Sequence, residues 1–150
     1  MFEHDYKKFP ELTAKQLSDI GFTSPHQQIT EDFRATVVKV NDGDTVTLAT
    51  TFRDFTFPLR LLNIDSPEMN NGGIEAREWL KNLVLNQKVD ILIDSKQRVG
   101  KYGRLLGVLF YNGLDVGQEE IHLGLAAKFG SKLEGEISPI DKVFSLKQWF

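Results

Sequence analysis

Alternating apolar and polar positions dominate the first half of the chain after residue 35 and predict β-strands. Residues 36–40 are rich in β-branched side chains, and residues 45–48 alternate after the turn sequence Asn41-Asp42-Gly43. A third strand is predicted over residues 55–64, where Pro58 indicates an edge or an irregularity near its start. The pattern therefore predicts a hairpin followed by a third strand.

The hydrophobic period then changes from two to about 3.6, which predicts a helix over residues 75–85. Its apolar side chains form one stripe: Ala76, Trp79, Leu80, Leu83 and Val84. Alternation returns at residues 89–93 and 104–111, and Asn112-Gly113 is a strong hairpin signal leading to residues 114–116. A short helix is predicted over residues 118–123, ended by Gly124.

Three strands, a helix and two further strands is the element order of an OB-fold. We therefore predict a mainly β protein with helices (α+β), a five-stranded OB-fold barrel whose helix lies between strands three and four. The predicted domain spans residues 35–150, and residues 1–34 form an N-terminal arm with a short helix over residues 13–20. The arm either packs on the domain or mediates association. The tail, residues 131–150, is interpreted as a short docking helix.

Composition limits the class of protein. The 150 residues are 41% hydrophobic and 26% charged, as expected of one globular domain rather than a disordered chain. Cysteine is absent, which excludes disulfides, zinc–thiolate sites and a cysteine nucleophile. The N-terminus lacks the apolar core of a signal peptide and no apolar run reaches a membrane span, so a cytoplasmic protein without a membrane partner is expected.

Acidic side chains follow two of the predicted strands. Asp44 begins the second strand, after a turn supported by Asp42. Asp65 follows the third strand, and we expect it to lie beyond the end of that strand. With the Ser66 carbonyl, these two carboxylates suit a hard cation such as Ca²⁺. Glu68 could orient or deprotonate a water beside such a cation. The simpler alternatives are tight turns for the two aspartates and an exposed surface charge for the glutamate.

Two arginines supply positive charge. Arg60 and Arg104 could each clamp phosphate oxygens with a guanidinium fork, or could be exposed strand residues. Lys101 and Tyr102 precede Arg104 and could contact substrate, although Tyr102 could equally pack on the barrel. The histidines do not converge on these motifs.

Taken together and in this order, residues 35–129 resemble the staphylococcal nuclease (thermonuclease) family. The matching pieces are Asp42-Gly43-Asp44-Thr45-Val46, Arg60-Leu61-Leu62, Ile64-Asp65-Ser66-Pro67-Glu68, Lys101-Tyr102-Gly103-Arg104 and Gly124-Leu125-Ala126. The resemblance implies a Ca²⁺-dependent nuclease that cleaves DNA and RNA with little sequence preference and leaves 3′-phosphate ends. It implies Ca²⁺ binding by Asp44, Asp65 and Ser66, water activation by Glu68, phosphate clamping by Arg60 and Arg104, and substrate contacts from Lys101 and Tyr102.

The chain departs from the family pattern in ways that bear on substrate binding. The loop after Glu68 is short and lacks lysines, and tyrosines expected after Ala126 are missing. The net charge of −3 predicts weak binding to duplex DNA, so single-stranded DNA or RNA is the expected substrate. The alternatives are a non-catalytic OB-fold module that binds nucleic acid or protein, and a structural Ca²⁺-binding domain.

Overall fold

The computed structural model describes residues 10–13, 26–100 and 103–128. In chain order its strands and helices are β1 (Phe33–Asp42), β2 (Thr45–Ala49), β3 (Phe57–Leu61), β4 (Ile64–Asp65), α1 (Ile74–Val84), β5 (Lys88–Leu92), β6 (Leu105–Tyr111), β7 (Leu114–Asp115), α2 (Val116–His122) and β8 (Ala127–Lys128). One π-helical turn, Met69–Gly73, interrupted by non-helical backbone angles at Asn71 and Gly72, precedes α1, and a short 3₁₀ turn, Ser95–Gln97, follows β5.

Five of these strands close into a barrel. The order is β3-β2-β1-β5-β6 through antiparallel pairs, and parallel pairing of β6 with β3 joins the two ends. Helix α1 lies between the third and fourth barrel strands in the chain. The predicted OB-fold barrel, including the position of its helix, is confirmed.

The predicted third strand is divided in two. Strand β3 ends at Leu61, Asn63 turns the chain with a φ of 70°, and Ile64–Asp65 then pairs with β8. The prediction that Asp65 lies beyond the end of the strand that carries Arg60 is confirmed. Pro58 pairs with Thr47 of β2, whereas the pairing of β3 with β6 begins only at Leu59. The proline, which has no N–H to donate, therefore lies outside the β3–β6 pairing.

Local sequence explains both helices. Helix α1 begins one residue before the prediction and buries Ala76, Leu80 and Val84. Helix α2 begins at Val116, two residues early, because Asp115 caps it: its Oδ1 accepts from the Gln118 amide at 3.1 Å. The predicted stop is confirmed by Gly124 with a φ of 76°, a left-handed conformation that glycine adopts without strain.

Apolar side chains from all five barrel strands and both helices form one core. Val37, Val46, Leu48, Leu59, Ile91 and Leu109 are fully buried inside the barrel, while Leu80 and Val84 of α1 and Val116 of α2 pack on its open ends and sides. Burial on this scale makes the barrel a rigid support for the turns at its rim.

The described part of the N-terminal arm packs on the barrel. Glu11 is fully buried and forms ion pairs with Arg53, from the β2–β3 loop, and with Arg98. Its Oε2 also accepts from the Ile29 amide at 2.9 Å. Of the two roles left open for the arm, packing on the domain is therefore observed for residues 10–13. The boundary at residue 35 stays a prediction.

Two predicted helices fall outside the described residues: most of the one over residues 13–20, and the whole of the one in the tail. Neither helix in the described part of the chain is long and apolar enough to cross a membrane.

Candidate active site

The turn between β1 and β2 brings Asp44 into a nearly enclosed position at the barrel rim. Asp42 Oδ1 accepts from the Asp44 amide at 3.0 Å, which confirms Asp42 as the residue that supports the turn. Gly43 packs so closely that a Cβ there would lie 2.7 Å from the Ala76 Cβ and 2.8 Å from the Ser66 Cβ. Only glycine allows this approach, and it leaves Asp44 8% exposed.

Both carboxylate oxygens of Asp44 accept hydrogen bonds. Oδ1 accepts from the Thr45 hydroxyl at 3.0 Å, and Oδ2 accepts from the Ser66 amide at 2.9 Å. The second bond joins the β1–β2 turn to the segment that follows β4. The two acidic motifs, 22 residues apart in the chain, are thus brought into direct contact.

Arg60 lies between the two aspartates. Its Nη2 donates to Asp65 Oδ1 at 2.6 Å and is 3.3 Å from Asp44 Oδ2. Its Nη1 donates to the Leu61 and Ile64 carbonyls, each at 2.7 Å, so the guanidinium also bridges the turn after β3. With 11% of the side chain exposed, Arg60 is held by charge-assisted bonds on several sides.

Arg104 reaches the same site from the start of β6. Its Nη1 lies 3.5 Å from the Thr45 hydroxyl, the group that donates to Asp44. The parallel pairing of Leu59 with Leu105 explains the approach, since it places the beginning of β6 beside β3. This long contact is the one hydrogen bond of its side chain within the described part of the chain, so its guanidinium is far less constrained than that of Arg60.

The structure thus brings together Asp44, Asp65, Ser66, Arg60 and Arg104, five of the residues that were singled out. Glu68 is exposed and begins the π-helical turn, where its backbone carbonyl accepts from the Asn71 and Gly73 amides at 2.8 and 2.9 Å. The hydrogen bonds given above for Asp44, Asp65 and Arg60 do not involve its carboxylate. Lys101 and Tyr102 lie outside the described residues, so their substrate contacts stay predictions.

Burial and charge set the ionisation of this rim. Burial, the side-chain hydrogen bond with Asp44 and the negative charge of Asp44 together raise the pKa of Asp42 to about 6. Burial would also raise the pKa of Asp44, but hydrogen bonds from Asp42, Ser66 and Thr45 and the charge of Arg60 outweigh it and lower the pKa below 3.8. Asp44 is therefore an anion at neutral pH.

Sequence reasoning missed one residue of the site, Glu120 of α2. It is fully buried, and its Oε1 lies 3.3 Å from the position that a Cβ on Gly43 would take. Neither side-chain oxygen has a hydrogen-bond partner in the part of the chain that the structure describes. The sequence did contain a signal for the burial of Glu120: it follows Val116 by four residues and therefore lies on the same, buried face of the helix.

Burial, followed by the negative charges of Asp44 and Asp42, raises the pKa of Glu120 to about 9. The group is therefore neutral in the folded protein at pH 7, whereas in the unfolded chain it ionises near the ordinary glutamate pKa of 4.5. Unfolding then releases a proton. The stability linked to this group is fully present below pH 4.5 and is lost as the pH rises towards 9.

We expect the free energy of unfolding of the metal-free protein to fall with pH, relative to Glu120→Gln, by up to about 1.4 kcal/mol per pH unit over this window. Urea titrations of both proteins from pH 5 to 9 in EDTA measure the difference. Stability curves that stay parallel across the range would show that Glu120 does not hold its proton in the folded state.

The donor set fits a hard cation. Asp44 and Asp65 supply carboxylates and Ser66 a carbonyl, whereas no cluster of three or more histidine, cysteine, aspartate or glutamate side chains able to hold a metal occurs in the described ranges. Oxygen donors without imidazole or thiolate suit Ca²⁺, which takes six to eight oxygens and would need substrate and water for the rest. The second oxygen of Asp65, Oδ2, accepts no hydrogen bond among the described residues and remains available as a ligand.

Comparison with known proteins places this site in a family context. A family model described as staphylococcal nuclease homologue matches residues 58–142, more than half of the chain. The matched range contains Arg60, Asp65 and Arg104 and begins after Asp44.

Individual relatives agree with the family model. The chain is 38% identical over 80 residues to a micrococcal nuclease of Shigella flexneri, covering 53% of this chain and 43% of the relative. It is 33% identical over 91 residues to an uncharacterized endonuclease of Haemophilus influenzae, covering 60% and 49%. It is 29% identical over 119 residues to a probable endonuclease of Aspergillus niger, covering 65% and 42%.

The chain thus spans less than half the length of these curated relatives. The family match nevertheless covers the segment that carries β3, α1, β5, β6 and α2, the greater part of the observed barrel. The predicted resemblance is confirmed, and the chain belongs to the staphylococcal nuclease homologue family.

Proposed function

We propose that this domain is a Ca²⁺-dependent nuclease, a hydrolase that cleaves phosphodiester bonds of DNA or RNA with low sequence specificity and leaves 3′-phosphate ends. The observation that carries the proposal is the contact of Arg60 with both Asp44 and Asp65, with Arg104 reaching the same site through Thr45. The printed names of the relatives, a micrococcal nuclease and two endonucleases, support nuclease activity.

The charges of the site suit a phosphodiester only when a cation is added. At neutral pH the three carboxylates of Asp42, Asp44 and Asp65 outnumber the two guanidinium groups of Arg60 and Arg104. A divalent cation held by Asp44, Asp65 and the Ser66 carbonyl would make the site positive and supply Lewis-acid stabilisation of the phosphoryl oxygens. The neutral carboxyl of Glu120 leaves this balance unchanged.

The two arginines would bind the phosphate in different ways. Arg60 is held by four acceptors, two of them the carboxylates of Asp44 and Asp65, so it would donate to the phosphate once a bound cation shares those carboxylates. The guanidinium of Arg104 makes one long contact among the described residues and could turn towards an incoming phosphate. Donors aimed at the phosphoryl oxygens stabilise the extra negative charge of the transition state. Both guanidinium groups therefore act as a clamp on the substrate.

Hydrolysis requires a base and a leaving group. The water oxygen forms a bond to phosphorus while the bond between phosphorus and O5′ breaks, and O5′ takes a proton from solvent as it leaves. Glu68, exposed three residues beyond Asp65, is proposed to orient the water and accept its proton. The phosphate then remains on the 3′ end.

The expected substrate is single-stranded. The net charge of −3 disfavours a long electrostatic contact with duplex DNA, so binding would rest on the local cleft. When labelled single-stranded DNA, RNA and duplex DNA are each incubated with the protein and Ca²⁺, both single-stranded substrates should be cleaved faster than the duplex. Product ends resistant to further 3′ extension until treated with phosphatase would identify 3′-phosphates.

Removal of the cation should abolish cleavage. EDTA leaves the site with more carboxylates than guanidinium groups and without the positive charge that attracts and polarises the phosphate, and excess Ca²⁺ should restore the rate. Equal cleavage in EDTA and in Ca²⁺ would contradict the cation role. Binding of the strands without cleavage in Ca²⁺ would identify the alternative, a non-catalytic OB-fold module.

A further inference from the structure

Packing of the barrel does not explain why an acidic residue, Glu120, is buried in the interior. It is fully buried on the face of α2 that also buries Val116, and neither of its oxygens has a hydrogen-bond partner in the described ranges. A buried polar group without a partner costs about 1–3 kcal/mol of stability. An apolar side chain of similar size would avoid that cost, so the position is poorly explained by packing alone.

The position of the carboxyl points to its partner. Its Oε1 faces Gly43, the residue between Asp42 and Asp44, and the same point at Gly43 is 2.8 Å from the Ser66 Cβ. The Glu120 carboxyl therefore lies beneath the turn and the segment that supply all three candidate cation ligands. Because Glu120 is fully buried, its carboxyl approaches this site from the protein interior.

The three protein ligands cannot complete the shell of Ca²⁺. A cation with six to eight oxygen ligands that takes three from the protein must keep water molecules, and each such water is a strong hydrogen-bond donor. On the substrate side those waters meet solvent and phosphate. On the interior side, the buried carboxyl of Glu120 offers them acceptor oxygens that have no other hydrogen-bond partner in the described ranges.

We propose that Glu120 is a positioning residue of the cation site, which accepts a hydrogen bond from a water molecule in the hydration shell of the bound Ca²⁺. The proposal rests on the proposed function of the site. The residue acts through that water and not as a direct ligand, in agreement with the finding that no three acidic groups in the described ranges form a metal cluster. A carbonyl oxygen suffices for this role, so a glutamine at the same position should retain it.

Four variants of the full chain test the proposal. Glu120→Gln keeps an acceptor oxygen, and Glu120→Leu removes it. Glu119→Leu makes the same change at the neighbouring position of α2, which is only partly buried. Asp44→Asn removes a proposed direct ligand. Two quantities are measured for each protein: the dissociation constant for Ca²⁺, from a heteronuclear NMR titration of the Ser66 amide, and the midpoint of thermal unfolding in EDTA.

Loss of an outer-shell hydrogen bond typically weakens metal affinity about 10- to 100-fold. We expect Glu120→Leu to raise the dissociation constant for Ca²⁺ by about 10-fold or more, while Glu120→Gln and Glu119→Leu stay within about 3-fold of the unmodified protein. In EDTA the unfolding midpoint of Glu120→Leu should rise by about 2 °C or more, because the unsatisfied acid is gone. Weaker binding in a more stable protein is not the result of damage to the fold.

Two results would overturn the proposal: unchanged Ca²⁺ affinity in Glu120→Leu, or equal losses in the Gln and Leu variants, which would assign the effect to charge. If Glu120→Leu fails to fold, Glu120→Met supplies the same loss of an acceptor. The Asp44→Asn variant distinguishes failure of the proposed cation site from failure of the proposed role of Glu120. Normal affinity there would refute the proposed cation site itself, whereas a loss there with none in Glu120→Leu would refute only the role of Glu120.

Discussion

Replacing Arg104 with alanine is expected to lower the rate of phosphodiester cleavage by about 100-fold or more with the fold intact. Among the described residues the guanidinium makes a single long contact, 3.5 Å to the Thr45 hydroxyl, so its removal leaves no partner charge buried and unpaired there. Its loss would remove one of two donors to the phosphoryl oxygens where transition-state charge gathers. The rate at saturating substrate should therefore fall more than the affinity for substrate.

A second surface arginine provides the control. Arg34 lies on β1 and pairs with Asp90 at 3.4 Å, and 68% of its side chain is exposed. Arg34→Ala removes the same charge from the barrel but no donor from the site, so it should cleave at close to the original rate. Initial rates on labelled single-stranded DNA, with circular dichroism as the check on folding, measure both variants. An Arg104→Ala protein that cuts at full rate would remove the phosphate-clamp assignment.

Replacing Glu11 with alanine is expected to lower the free energy of unfolding by about 3–5 kcal/mol. Glu11 is fully buried between Arg53, whose side chain is 3% exposed, and Arg98, whose Nη1 donates to it at 2.9 Å. Arg53 also lies over the Phe57 ring at 4.6 Å, so it cannot turn to solvent without losing that packing. Removal of the shared carboxylate would leave two cations without their common counter-charge inside the protein.

Urea unfolding followed by tryptophan fluorescence measures this loss. Glu31→Ala, at an exposed position, is the matched control and should change the free energy of unfolding by less than about 0.5 kcal/mol. A Glu11→Ala protein as stable as the control would show that the arm contributes little to the barrel. Because the Glu11 cluster involves the β2–β3 loop, away from the Asp44 turn, cleavage under stabilising conditions should persist in the folded fraction.

Much of the barrel could be predicted because its elements carry local signals. Period-two alternation marked β1, β2, β5 and β6, and Asn112-Gly113 marked the hairpin because both residues adopt positive φ, 50° and 82°. The break in the third strand was harder to place. It depends on Asn63 adopting a left-handed conformation, which asparagine allows but does not require.

The candidate site was predicted in part because its residues lie in short motifs with a fixed order. Asp44, Asp65, Arg60 and Arg104 were identified in this way, and the structure brings them together. Glu120 and Glu11 were not identified, because a glutamate in a polar-looking segment is usually exposed. Only packing of α2 against the Gly43 turn, and of residues 10–13 against Arg53 and Arg98, buries them.

The amino-acid sequence by itself determined the order and type of the barrel elements, and it determined which side chains could bind a cation and a phosphate. These properties depend on neighbours a few residues apart, where backbone preference and side-chain period act directly. Tertiary structure alone decided that Arg60 lies between Asp44 and Asp65, that Arg104 reaches them through Thr45, and that Glu120 lies beneath the turn. Those contacts join residues far apart in the chain, and they exist only because closing the barrel brings the ends of separate strands to one rim.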